Sequence, residues 1–126
     1  MKIKTAELAG KALDFTVALI EGATYSRDFD EPVIEWTEKF DTPLRNYSPS
    51  TDWTQGGPVL GREIHNLFKW NQLVKGPELW CAVHYAKTNE GTQILRMDGP
   101  TPLIAAMRCL VKATLGDEVE VPDELL

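Results

Sequence analysis

Cysteine, histidine and long apolar runs are all scarce in this chain. Of 126 residues, two are cysteine and two are histidine. Two thiols cannot staple a small domain, so a disulfide scaffold is excluded. Cys81 and Cys109 lie in apolar stretches and are expected as reduced, buried thiols. Cys81 and His84 have C-x-x-H spacing, but in a predicted strand, where residues three apart face opposite sides. Neither a zinc site nor a local Cys–His nucleophile pair is therefore expected. No apolar run approaches the roughly 20 residues that cross a bilayer. Residues 1–10 are short, polar and mixed, unlike a signal peptide. No membrane association is expected, and no metal or cofactor.

Basic charge is also in deficit. Thirteen lysines and arginines stand against nineteen acids, for a net charge of −6. A general nucleic-acid binder needs a basic surface to neutralise phosphates, so direct nucleic-acid binding is not expected. The charge is unevenly spread. Asp28, Asp30, Glu31, Glu35, Glu38 and Asp41 face only Lys39 within 28–41, and the tail 117–126 holds five acids and no base. Between them, residues 42–112 hold eight bases and five acids. Acidic flanks thus surround a mildly basic centre that could hold an anion.

Nucleotide and hydrolase signatures are missing as well. No Gly-Lys-Ser/Thr follows the glycines at 56 and 57, and there is no Rossmann fingerprint, HExxH, GxSxG elbow or EF-hand. Asp52, Glu63 and His84 could form an acid–base set, but nothing in their spacing brings them together. Lys11 and Asp14, three apart on the first helix, read as an exposed pair of small energetic value.

The remaining pattern predicts an α+β domain spanning 1–126. Residues 2–4 read as a short strand. Residues 9–21 read as a helix with Leu13, Val17 and Ile20 on one face and Gly22 as its stop. Residues 23–58 read as a long ordered loop, with an acidic insertion at 23–46 and a short strand near 33–36. Pro58 is suited to open a helical turn. Residues 64–70, 79–86 and 92–97 read as a three-stranded antiparallel meander, with turn signals at 75–77 and 89–91. Thr101 and Pro102 suit the cap and first position of a last helix ending near Gly116. Both helices are expected on one sheet face, and residues 119–126 are expected to add an edge strand. The last helix is apolar over most of its circumference, so it should be buried on more than one side, against the sheet and also against the long loop, the first helix or a second subunit. Helix, three strands and helix is also the order of double-stranded-RNA-binding domains, but here the last helix has no base before Arg108.

The densest set of special residues is Tyr47–Glu63. Ser48, Ser50, Thr51 and Gln55 offer neutral hydrogen bonds, Asp52 a carboxylate, and Tyr47 and Trp53 flat faces. Gly56 and Gly57 allow close backbone approach, and Arg45 and Arg62 offer guanidinium forks. These eleven side chains and glycines are the predicted ligand site, against the alternative of a structural loop in which Asp52 caps a turn and Trp53 plugs the core; no catalytic residue is assigned. Trp36, also in a loop, reads as either a core plug or a stacking platform.

Three segments resemble the NinX-like family of small phage and prophage proteins of unknown function. They are Lys4-Thr-Ala-Glu-Leu-Ala-Gly-Lys-Ala-Leu-Asp-Phe-Thr-Val-Ala, Tyr47-Ser-Pro-Ser-Thr-Asp-Trp-Thr-Gln-Gly-Gly-Pro and Thr101-Pro-Leu-Ile-Ala-Ala-Met-Arg-Cys. Ala9 stands where that family often has a hydroxyl residue, so the first helix is expected without a side-chain cap. The resemblance implies a phage or prophage origin, an accessory role in the cytoplasm of a bacterial host, and no particular reaction. With the residue pattern it points first to a non-enzymatic binder of a small anionic ligand, such as a signalling nucleotide of host defence, working as a homo-oligomer. The alternative is an acidic inhibitor of a host protein, and the third reading is a small nucleotide hydrolase.

Overall fold

The computed structural model describes residues 1–28, 31–37, 39–70 and 79–126. The turn signal at 75–77 lies outside the described residues, as do Asp30 and Glu38. The chain runs β1 (Lys2–Lys4), α1 (Gly10–Ile20), β2 (Thr24–Asp28), β3 (Glu31–Glu35), β4 (Thr42–Pro43), α2 (Trp53–Glu63), β5 (Asn66–Lys69), β6 (Trp80–Thr88), β7 (Gly91–Gly99), α3 (Pro102–Leu115) and β8 (Glu118–Glu120). Short 3-10 turns occupy 5–7, 44–46 and 123–125.

The meander is present as an antiparallel β5-β6-β7 sheet. Ala82 pairs with Met97 and His84 with Leu95, so these four side chains share the inner face. Cys81 pairs with Asp98 and Phe68 on the outer face, so Cys81 and His84 do point to opposite sides. Both cysteines are free and buried.

α3 starts where the sequence predicts. Thr101 accepts the Ile104 amide proton at 3.2 Å and Pro102 follows at the first position. Gly99 lets its N-terminus settle on β7: a Cβ there would lie 2.6 Å from the Ala105 nitrogen. The apolar girdle of α3 is used within the chain, against the sheet on one side and against α1 and α2 on others. Seven of its residues are buried, among them Leu103, Ala106, Met107 and Leu110. That packing accounts for its composition without a second subunit. The expected layering is refined in one respect: α3 lies on the sheet, and α1 packs chiefly on α3.

α1 ends at Gly22, whose φ of 99° is cheap only for glycine. Ala9 gives it no side-chain cap. β1 and β8 pair with each other, Ile3 opposite Val119, and tie the two ends together. Thr5 reinforces this closure by donating to the Gly116 carbonyl at 2.6 Å.

The stretch read as one long loop, 23–58, is more regular than expected. Its first part forms an antiparallel β2-β3-β4 sheet, with Tyr25 opposite Ile34 and Ile34 opposite Thr42. Its last part enters α2, which contains Gly56, Gly57, Pro58 and Gly61. These residues are poor helix formers, so packing rather than propensity holds the helix. Gly56 shows how: a Cβ there would lie 2.0 Å from the Pro49 carbonyl oxygen and 3.0 Å from the Leu103 side chain.

Candidate functional site

The segment between β4 and α2 is pinned to α1 by two charged side chains. Lys11 Nζ donates to the Tyr47 carbonyl at 3.0 Å and to Ser48 Oγ at 2.8 Å, and lies 3.6 Å from Asp14 Oδ2. An ammonium has three protons, and three acceptors surround it. Asp14 Oδ1 in turn accepts the Ser50 amide proton at 2.9 Å. Lys11 and Asp14 are therefore not the exposed pair expected: Asp14 is only 2% exposed. The polar side of α1 is covered by the 44–50 segment, a contact between residues distant in sequence. Burial pushes the Asp14 carboxyl above its ordinary range, opposed by the Ser50 hydroxyl and amide and by Lys11. The Ser50 hydroxyl lies beside that carboxylate without completing a hydrogen bond.

Much of the predicted ligand set is spent on this anchoring. Ser48 also donates its amide proton to Gln55 Oε1, and Gln55 Nε2 donates to the Asn46 carbonyl at 2.9 Å. Asp52 caps α2 by accepting the Thr54 amide proton at 2.9 Å. Gly56 gives close approach to the chain's own Pro49, and Gly57 lies beside the Trp53 ring. Arg45 is ion-paired with Glu31. Trp53 is 56% exposed. With Ser50 and Thr51 it lines a small recess of about 170 Å³ against Thr101 and Leu103.

Tyr47, Gln55 and Arg62 converge elsewhere, on an open cleft of about 500 Å³. α2 supplies Gln55, Pro58, Val59 and Arg62, and the end of α1 supplies Glu21. The opposite wall is Trp36 and Lys39, which follow β3, and Thr42 in β4. Trp36 and Tyr47 meet edge to face with ring centroids 5.6 Å apart. Lys39 Nζ sits 4.3 Å from the Trp36 ring centroid, a cation over an electron-rich face. Trp36 and Lys39 lie outside the predicted ligand set, as do Glu21, Thr42, Pro58 and Val59. The aromatic ring in a proline-rich acidic segment was the one local signal for Trp36 and Lys39.

The electrostatics of the cleft are mixed. Arg62 Nη2 donates to Glu21 Oε2 at 2.7 Å, and Arg62 Nε donates to Glu63 Oε1 at 3.0 Å. Glu21 and then Glu63 hold the guanidinium more firmly protonated than usual. Burial, with Glu21 and Asp14 adding to it, pushes the Tyr47 phenol well above its ordinary range. The phenol therefore stays protonated and can donate a hydrogen bond. Lys39 has no carboxylate partner among the described residues.

The possible acid–base set does not assemble. His84 Nδ1 lies 2.6 Å from the Glu63 carbonyl oxygen at the C-terminal end of α2. Asp52 caps the other end, about 16 Å away for an 11-residue helix. Among the described residues, no three metal-ligating side chains converge.

The fold around this cleft carries a recognisable sequence. The family model described as bacteriophage P22, NinX matches residues 4–113. The chain belongs to the bacteriophage P22 NinX family. No individual curated protein matches it. The NinX match spans α1, the anchored 44–50 segment, α2 and the whole β5-β6-β7 sheet with most of α3. Every described wall of the cleft lies within it. Among the described residues, no helix is long and apolar enough to cross a membrane.

Proposed function

We propose that this NinX-family protein is a non-enzymatic binder of a small anionic ligand, a nucleotide above all, held in the Trp36–Tyr47–Arg62 cleft. The observation that carries the reading is the pairing of two aromatic rings with two cations, Lys39 and Arg62, around one open cleft of about 500 Å³. A base stacked on an indole gains about 1–3 kcal/mol. Lys39 would move from the ring to the anionic group of the ligand. Tyr47 would donate to a polar edge. In the cytoplasm of a bacterial host such a protein would withdraw a signalling nucleotide from a defence response.

Calorimetric titration of the protein with linear, cyclic and mononucleotides tests the reading. Saturable binding of at least one, at one ligand per cleft, is expected. Heats of dilution alone across the panel would overturn it.

A second reading rests on Phe40. Its side chain is 95% exposed in the acidic segment beside the cleft. An exposed ring among acids suits a basic host protein with an apolar pocket. Retention of a host protein by the wild type, and its loss with Phe40→Ser, would favour that reading.

A further inference from the structure

Away from that cleft, two arginines have no paired carboxylate among the described residues. Arg108, on α3, is half-buried, and among the described residues its guanidinium bonds only to main-chain oxygens. Nε donates to the Leu8 carbonyl at 2.7 Å and Nη1 to the Asp98 carbonyl at 3.0 Å. No carboxylate pairs with it among the described residues. Burial lowers its pKa, the signature of a charge partly removed from water. Such charges are ordinarily paired, because an unpaired one is costly.

Beside Arg108 opens a cleft of about 260 Å³, on the face built by the 5–7 turn, β7 and α3. Arg96, in β7, also lines it and has no acceptor among the described residues. Among the described residues, the only acid on its wall is Asp98. That carboxylate is engaged over the sheet: Oδ1 accepts the Trp70 Nε1 proton at 3.0 Å, and Asp98 stands opposite Cys81 on β6. Two guanidinium groups thus line the cleft beside one carboxylate, and neither is ion-paired with it.

We propose that Arg96 and Arg108 form a binding site for a small oxyanion, a phosphoryl group above all, in this cleft. Two guanidinium forks match the geometry of phosphate oxygens. The cleft is smaller than the usual pocket for a whole drug-sized ligand, so it fits a phosphate or a small phosphorylated compound. It shares no residue with the Trp36–Tyr47–Arg62 cleft, and its occupancy does not depend on the function proposed there.

The test is an NMR titration following the arginine Nε–Hε cross-peaks, with sodium phosphate in one arm and sodium acetate in the other at constant ionic strength. The expected result is saturable movement of the Arg96 and Arg108 peaks with phosphate, at lower concentration than with acetate. Arg96→Gln should weaken phosphate binding roughly tenfold or more, the loss expected for a charge-assisted bond. Arg96 is exposed, so this variant should fold; Arg45→Gln, at the Glu31 ion pair, should change nothing. No saturation by either anion, or unchanged phosphate affinity in Arg96→Gln, would overturn the site. Tighter binding of acetate than of phosphate would overturn the phosphoryl assignment.

Discussion

The Ser50 amide donates to Asp14 Oδ1 at 2.9 Å across 36 residues of sequence, and both residues are buried. This bond and the Lys11 tripod fix the segment that presents Tyr47 to the cleft. Asp14→Ala would remove a charge-assisted acceptor and leave a buried amide unpaired. A loss of about 2–4 kcal/mol in folding stability is expected, measured by urea denaturation. A loss below about 0.5 kcal/mol, the level of an ordinary surface change, would contradict the anchoring role.

The same carboxyl makes a pH prediction. Its folded-state pKa lies above the ordinary 3.8, with burial as the largest cause. A raised carboxyl means the folded state binds a proton more readily than the unfolded one. Its contribution to stability is then greatest below pH 3.8 and falls as pH rises through the folded value. Wild type should therefore gain on Asp14→Asn as the solution is acidified toward that point. Urea midpoints of both proteins across the acidic range give the difference directly, and a wild type that loses ground would contradict it.

Two glycines of α2 should respond oppositely to alanine. At Gly56 the new Cβ meets the Pro49 carbonyl at 2.0 Å. Gly56→Ala should cost about 1–3 kcal/mol or more, as overpacking does. At Gly61 nothing lies within 4 Å. Gly61→Ala should stabilise by about 0.5–1 kcal/mol through helix propensity and a less flexible unfolded chain. Thermal melts of the two variants separate these outcomes.

Arg62 should matter more to ligand than to fold. Its side chain is 53% exposed, so its pairing with Glu21 is worth under about 1 kcal/mol. Arg62→Gln should leave the melting temperature nearly unchanged and weaken an anionic ligand roughly tenfold, as read by calorimetry.

The elements that local chemistry specifies were legible in the sequence. Thr101 and Pro102 announce α3, Gly22 stops α1, and Asn89-Glu90-Gly91 turns β6 into β7. α2 was not legible beyond a turn at Pro58, because two adjacent glycines and a proline carry no helical signal. The Asp52 cap, the packing of α2 on α3 and the close approach of Pro49 and Leu103 to Gly56 make that helix favourable. Lys11 and Asp14 looked exposed because helix periodicity cannot reveal a distant segment covering the polar side. The site was half legible for the same reason. Tyr47, Gln55 and Arg62 stand in one distinctive string. Trp36 and Lys39 join them through the chain's tertiary arrangement, beside the paired β3 and β4 and facing α2.

Comparison of Trp36→Ala with Trp53→Ala in nucleotide titrations tests the central claim most directly. Trp36 lines the large cleft, whereas Trp53 lines the separate recess beside α3. The account predicts that Trp36→Ala loses at least about tenfold in affinity, the stacking contribution of one ring, and that Trp53→Ala binds as wild type does. Full affinity in Trp36→Ala with loss in Trp53→Ala would contradict it and move the site to the Trp53 recess.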